Sequence, residues 1–426
     1  MRFNIWRDYP QAKLTELLDF IVDNRGKSVP TVSIEEACNH VLIATNCIRN
    51  ERLYPSYDKI RYISQETYES WFRSHPIAGD IIFVNKGTPG RVCLCPENID
   101  FCIAQDMMAF RTKSEKLYNK YLLAVLRSRE IQEQIRTTSV GDTIPHFKKE
   151  FLKELYIPTP PLDIQRLIGN FYFAFSNKIE LNNRINENLE LQTQAIFKSW
   201  FVDFEPFGGV KPKSWKIGTF SDVIESTLGG DWGKESSIGN YTEQVYCVRG
   251  ADIPEVKIGN KGKMPIRYIL KKNYFSKRLV PEDIVVEISG GSPTQSTGRV
   301  CFISQALLDR YDKGMVCTNF CRAIKPKDSY SKFIYYYWLY LYDRNVFFLY
   351  ENGTTGIKNL DLSGFLETEE IIIPSTNDVI KFNNICSSIF EQTFSIGLEN
   401  EKLALLRDTL LPKLMNGEID VSKVKI

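Results

Sequence analysis

The chain has 426 residues, more than a single hydrophobic core usually organises and enough for two domains with connectors. Apolar residues make up 43% and charged residues 25%, the ordinary globular range, which excludes a fibrous or largely disordered class. A net charge of +2 excludes a global polycation, so any nucleic-acid footprint must be local.

The first residues, Met1-Arg2-Phe3-Asn4-Ile5-Trp6, lack the apolar stretch of a signal peptide. The most apolar run, Phe333 to Tyr342, falls short of the ~20 residues that span a bilayer. A soluble, cytoplasmic protein is the expectation. In the first block, Asp80-Ile81-Ile82-Phe83-Val84 reads as a strand, followed by the loop Asn85-Lys86-Gly87-Thr88-Pro89-Gly90-Arg91. Tyr118 to Gln134 reads as a helix, within a basic cluster (Arg111, Lys113, Lys116, Lys120, Arg127, Arg129) that contains only Glu115. Pro158, Pro160 and Pro161 end a strand and open a helix without internal proline from Leu162 to Phe201, closed by Gly208-Gly209. The second block repeats the plan. Lys257, Lys261, Lys263, Arg267, Lys271, Lys272, Lys277 and Arg278 occur with no acid among them. Asp283-Ile284-Val285-Val286-Glu287-Ile288 reads as a strand leading into a Gly/Ser/Thr loop from Ser289 to Arg299, and Tyr330 to Leu341 as a helix. Pro374-Ser375 opens a second long helix that Gly417 closes.

Both long helices carry heptads. Ile168, Phe175, Asn182, Leu189 and Ile196 are spaced by seven, as are Phe382, Ile389, Ile396, Leu403 and Leu410; Phe171, Ile185, Ile385 and Leu406 fall between, and Ile179 widens the stripe. Neither stripe can be buried by its own helix, so each helix is expected to pack on the other. Asn182 is either exposed on its turn or a polar residue that sets register. The helical segments 161–206 and 375–420 are acidic (4 basic against 6 acidic residues, and 4 against 7), whereas the blocks 1–160 and 207–374 are slightly basic (22 against 20, and 22 against 19).

The two halves echo each other in sequence. Ile60-Arg61-Tyr62-Ile63 returns as Ile266-Arg267-Tyr268-Ile269, Gly90-Arg91-Val92-Cys93 as Gly298-Arg299-Val300-Cys301, and Tyr156-Ile157-Pro158 as Ile372-Ile373-Pro374. The same comparison places Asn24-Arg25-Gly26 against Thr227-Leu228-Gly229. Collinear matches of this kind indicate a duplicated unit, suited to a pseudo-symmetric partner such as duplex DNA.

No reacting centre emerges. Gly26-Lys27-Ser28 lacks the first glycine of a phosphate loop, since Ile21 stands there. The ten cysteines have no zinc spacing, with three histidines at no ligand distance in sequence, and read as buried free thiols. Neither a catalytic residue nor a metal ligand is assigned.

Three strings carry a resemblance: Ile157-Pro158-x-Pro160-Pro161-Leu162-x-x-Gln165; Lys178-Ile179-Glu180-Leu181-Asn182-x-Arg184-Ile185-Asn186-Glu187-x-Leu189-Glu190; and Ala195-x-Phe197-Lys198-Ser199-Trp200-Phe201-Val202-Asp203-Phe204. They resemble the central conserved region of type I restriction–modification specificity subunits. Leu406-Arg407-Asp408-Thr409-Leu410-Leu411-Pro412-Lys413-Leu414-Met415-x-Gly417-Glu418-Ile419 is similar to the distal conserved region of that family. The resemblance implies an α/β (α+β) fold with two repeated target-recognition domains, residues 1–158 and 207–374. They would be separated by two long conserved helices, residues 159–206 and 375–426, packed as an antiparallel coiled coil that serves as a spacer. It implies a non-catalytic subunit whose domains each read half of a bipartite DNA target. Two modification (methyltransferase) subunits and restriction subunits would assemble on it, carrying the S-adenosylmethionine, ATP and Mg. A solitary methyltransferase or a fused type II system could use the same subunit. A non-DNA adaptor and a degenerate methyltransferase are the readings from other classes.

Candidate DNA contacts follow from residue type on the repeated loops. Lys86, Thr88, Arg91, Thr294, Gln295 and Arg299 lie on the Gly-rich loops, where Arg and Gln could read G and A edges. Equally, the two arginines, recurring in both copies, could pin each loop to its own domain. Gln105, Asp106, Asn319, Lys271 and Lys272 are further candidates. Trp200 serves either a partner or the joint between helix and domain, beside the seam residues Phe175, Asn182, Leu189, Ile196, Ile389, Ile396, Leu403 and Leu410.

Overall fold

The computed structural model describes residues 4–24, 28–57, 60–141, 143–292, 295–353 and 357–420. Arg25, Gly26, Lys27 and Thr294 lie outside the described residues. The chain divides into two compact units, Met1–Leu181 with Lys402–Ile426, and Asn182–Glu401.

In the first unit the strand Ile81–Val84 is apolar at all four positions because both its faces are covered. Ile81 and Phe83 join one core, with the helix Asn119–Leu126 and Ile168, Phe171, Leu411 and Leu414 of the long helices. Ile82 and Val84 join another, with strands Val41–Ile43 and Phe101–Ile103. The four-stranded antiparallel sheet runs Leu18–Asp23, Met107–Thr112, Ile81–Val84, Val92–Leu94. A three-stranded sheet runs Arg61–Tyr62, Val41–Ile43, Phe101–Ile103, its second pair parallel.

The second unit builds the same two sheets in the same order. Ile224–Gly229, Cys321–Pro326, Ile284–Glu287 and Val300–Phe302 form the four-stranded sheet; Ile266–Leu270, Tyr241–Val248 and Met315–Cys317 form the three-stranded one, again with a parallel second pair. Ile284 and Val286 face one core and Val285 the other. The duplication is therefore one of topology, and the register shared by the two four-stranded sheets corrects the sequence alignment at their edge strand. Val22 pairs with Ala109 and Leu228 with Ala323, so Asn24 corresponds to Gly230 and not to Thr227. The helix expected from Tyr118 to Gln134 is two helices, Asn119–Leu126 and Arg129–Thr138. Ser128 breaks it by capping the second, its hydroxyl accepting from the Ile131 N–H.

The long helices are Leu162–Phe201 and Thr376–Met415. They run antiparallel: in the second unit Asn182 meets Asn400 and Asn186 meets the Thr393 carbonyl, and in the first Arg407 donates to Ser176. The expected apolar stripe fills the contact only in part. Ile168, Phe171, Ile179, Leu189 and Phe382 are buried, but Phe175, Ile196, Ile389, Ile396, Leu403 and Leu410 are half-buried, and Ile185, Ile385 and Leu406 are exposed. The fully buried heptad line of the second helix is Val379, Cys386, Thr393, Asn400, Arg407, Leu414, polar through its middle. Polar groups are tolerated there because they are hydrogen-bonded. Asn182 donates to Asn400 Oδ1 (2.9 Å) and Glu399 Oε2 (2.7 Å), and Asn400 to Asn183 Oδ1 (3.0 Å). Of the two readings left open for Asn182, the buried polar one holds.

All ten cysteines are free thiols and nine are buried. Burial raises the Cys102 and Cys386 thiols to about 12 and Cys321 to about 11, which keeps them unreactive. Among the described residues no three His, Cys, Asp or Glu side chains form a metal site, and no helix is long and apolar enough to cross a membrane.

Candidate nucleic-acid interface

Each unit assembles one surface from three backbone segments. The Gly-rich loop comes first. Val84 donates to the Arg91 carbonyl (2.9 Å) and Gly90 to the Val84 carbonyl (3.0 Å). Glu287 and Gly298 repeat the pair with Arg299 and Glu287 (2.8 and 2.9 Å). Gly90 and Gly298 have φ of +91° and +94°, a left-handed conformation that a side chain would strain. The second segment is a β-turn, Ala104–Met107 or Thr318–Cys321, closed by Met107 N–H to Ala104 O (3.3 Å) and Cys321 N–H to Thr318 O (2.9 Å). It is tied to the loop by Asn85 N–H to Asp106 O (3.0 Å) and Ile288 N–H to Phe320 O (2.9 Å). Third comes a late hairpin: Gly87 donates to Pro145 O and Phe147 to Asn85 O, while Ser289–Gly290 pairs with Lys358–Asn359.

The same frame carries different charges. Below it, Asp80 pairs with Arg111 (2.9 Å) and Asp283 with Lys325 (2.9 Å), each carboxylate also accepting from the backbone three residues earlier. Burial pushes the Asp283 carboxyl above its usual range, against the hydrogen bonds from Val280 and Lys325. On the loops the units part. Arg299 makes a bidentate pair with buried Glu287 (2.8 and 2.6 Å), so its role is to brace its own loop. Glu351 adds a second brace, accepting from Thr297 and Lys358, and Trp338 donates to the Gly298 carbonyl. At the position equivalent to Glu287 the first unit has Val84. Arg91 is half-buried there and its guanidinium has no hydrogen bond or ion pair among the described residues. Arg299 is thus pinned to its own unit, and Arg91 has no such pin among the described residues.

Lys86 and Thr88 are exposed on the first loop, and Asn319 is exposed on the second turn. Gln295 is half-buried beside the Tyr342 hydroxyl. Gln105 is half-buried, with a buried Oε1 that has no partner among the described residues. Lys271 and Lys272 are exposed on the helix Lys271–Lys277. Much of the remaining basic sequence is used internally. Lys257 faces Glu190 (3.7 Å), Lys261 faces Glu401 (3.1 Å), and Arg267 stacks on Trp232 (4.1 Å). In the first cluster, Arg127 donates to the Arg52 and Val92 carbonyls and Lys120 lies over Phe173. Trp200 packs on Phe201, Phe207 and Phe382, at the joint between helix and domain. Sequence reasoning missed His146, Lys148 and Lys149, which line an open notch beside the Lys86 loop, and Phe320; neither group carries a motif.

Comparison with known proteins agrees with this duplicated frame. A family model described as the type I restriction modification DNA specificity domain matches twice, over residues 8–191 and 212–407. The chain is similar to the type I restriction enzyme MjaIX specificity subunit of Methanocaldococcus jannaschii (26% identity, covering 94% of this chain and 88% of that protein). It is also similar to the HindI specificity subunit of Haemophilus influenzae (25% identity, 80% and 86%). Among solved structures, the type I restriction-modification S subunit from M. genitalium has the same fold, with a TM-score of 0.51, 17% identity and 96% of each chain covered.

Proposed function

This chain belongs to the family of type I restriction–modification DNA specificity subunits, and we propose that each of its two units reads one half of a bipartite, asymmetric DNA target. The observation that carries the proposal is one hydrogen-bonded frame built twice with different side chains on it: exposed Lys86 and an Arg91 unpaired among the described residues in one copy, braced Arg299 and exposed Asn319 in the other. A shared frame with divergent tips is what two readers of different half-sites need, since base edges are discriminated by side chains and position is fixed by backbone contacts. Lys86, Lys271 and Lys272 supply phosphate contacts; Arg91, Gln105, Gln295 and Asn319 face bases.

The chain itself performs no chemistry in this reading. It positions modification subunits, which carry S-adenosylmethionine, and restriction subunits, which carry ATP and Mg. The long helices form the docking scaffold, and residues 1–158 and 207–374 the two target-recognition domains. Exchanging residues 1–155 for the same block of another family member, then sequencing the methylome, tests the proposal. One half of the methylated sequence changes and the other stays. A change in both halves defeats independent reading, and duplex binding without steep salt dependence favours a non-DNA adaptor.

A further inference from the structure

In the second unit the turn Thr318–Cys321 presents an aromatic ring to solvent: Phe320 is 57% exposed. Single exposed apolar residues are common, so exposure alone says little. Here the backbone that carries the ring is fixed from several sides. The Phe320 carbonyl accepts from both Ile288 (2.9 Å) and Ser289 (3.2 Å), at the start of the Gly-rich loop. On the other side Asp231 donates to the Cys317 carbonyl (2.8 Å), and Gly230 approaches so closely that a Cβ there would collide with the Thr318 carbonyl. Asn273 donates to Asp231 and Lys277 to the Gly230 carbonyl, which joins the turn to the helix that carries exposed Lys271 and Lys272. The ring therefore projects from a rigid turn between the candidate loop and a basic helix.

The register twin sharpens the case. Asp106 occupies the same place in the first unit, its carbonyl accepting from Asn85 as that of Phe320 does from Ile288. The frame thus accepts an acid or an aromatic equally, and neither side chain is needed to hold it. A position that is structurally neutral, rigid and chemically opposite in the two copies has the properties of a specificity determinant. Of the base edges in the major groove, the one an apolar ring recognises is the thymine C5 methyl group.

We propose that Phe320 is a specificity-determining residue that packs on a thymine methyl in the half-site read by the second unit. This rests on the DNA-reading function proposed above. The test uses the full chain in complex with its modification subunits and duplexes of the methylome-defined target. Each thymine of the second half-site is replaced in turn by deoxyuridine, which removes only the methyl. At one position the wild-type complex loses about fourfold in affinity, the equivalent of the ~0.8 kcal/mol of one buried methyl group. Phe320→Asp, the residue the first unit carries, and Phe320→Ala bind the thymine and deoxyuridine duplexes equally, whereas Phe320→Leu keeps part of the discrimination. A second half-site without an A·T pair overturns the proposal, as does a wild-type complex indifferent to every deoxyuridine, or discrimination that survives in both Phe320→Asp and Phe320→Ala. Absence of any sequence-specific duplex binding is a different failure, that of the DNA-reading function itself.

Discussion

The polar centre of the helix seam makes a quantitative prediction. Asn182, Asn183 and Asn400 are each at most 5% exposed, and Asn400 both accepts from Asn182 (2.9 Å) and donates to Asn183 (3.0 Å). Replacing Asn400 with Leu removes two hydrogen bonds, at about 1 kcal/mol each. It also leaves Asn183 Oδ1 with only the long bond from Asn260 (3.5 Å). A buried acceptor stranded in this way costs a further ~1 kcal/mol or more, so the single change destabilises by about 2–4 kcal/mol. Asn182 retains Glu399, which limits the damage on that side. Replacing Asn182, Asn183 and Asn400 together with Leu removes donors and acceptors at once, and an apolar seam of similar volume recovers most of the loss. Urea unfolding followed by circular dichroism, with proteolysis of the second unit as an independent probe, gives the coupling energy. If Asn400→Leu alone is neutral, or if the losses from the three sites simply add, the seam is not held by this network.

Arg299→Ala strands the buried Glu287 carboxylate and lowers stability by about 3 kcal/mol in a thermal melt, whereas Arg91→Ala leaves the melt unchanged and weakens DNA binding. Lys86→Ala lowers the slope of log affinity against log salt by about one, if that side chain neutralises one phosphate. Gly397→Ala drives a methyl group into the Gly259 carbonyl and destabilises the second unit by several kcal/mol, measured by urea unfolding. Burial raises the Glu190 carboxyl above its unfolded value, despite Lys257 nearby. Its contribution to stability is therefore present below the usual carboxylate range and is lost as pH rises through the raised folded value. Glu190→Gln should stabilise the protein at pH 8 relative to wild type and give no gain at pH 4, in melts at the two pH values.

The parts of this fold that could be read from sequence are those governed by local rules. Ile81-Ile82-Phe83-Val84 declares a strand buried on both faces, and Gly90 and Gly298 mark the left-handed corners that close two equivalent loops. Long-range pairing could not be read in the same way. The heptad pattern selects apolar residues, yet the partner that makes Asn182 acceptable in the seam lies 218 residues further along the chain. Seen alone, Asn182 is an interruption; seen with Asn400, it is part of the contact. The strand register at Val22 and Leu228 escaped for the same reason, since the pairing with Ala109 and Ala323 is set across the sheet.

The two arginines show where the functional site itself stops being legible. Arg91 and Arg299 follow a glycine in the same corner of the same loop, and motif reasoning must treat them alike. What separates them is the residue at the preceding strand's end. Glu287 captures Arg299 within the unit, while Val84 leaves Arg91 without such a partner. If that difference decides which arginine reaches DNA, then placing an acid at position 84 should silence Arg91. Val84→Glu would be expected to lower affinity for the first half-site as much as Arg91→Ala does, and adding Arg91→Ala to Val84→Glu would cost little more. A double-mutant cycle in duplex binding measures this. Fully additive losses would mean that Arg91 acts independently of the strand end, and that the contrast between the two loops has no bearing on recognition.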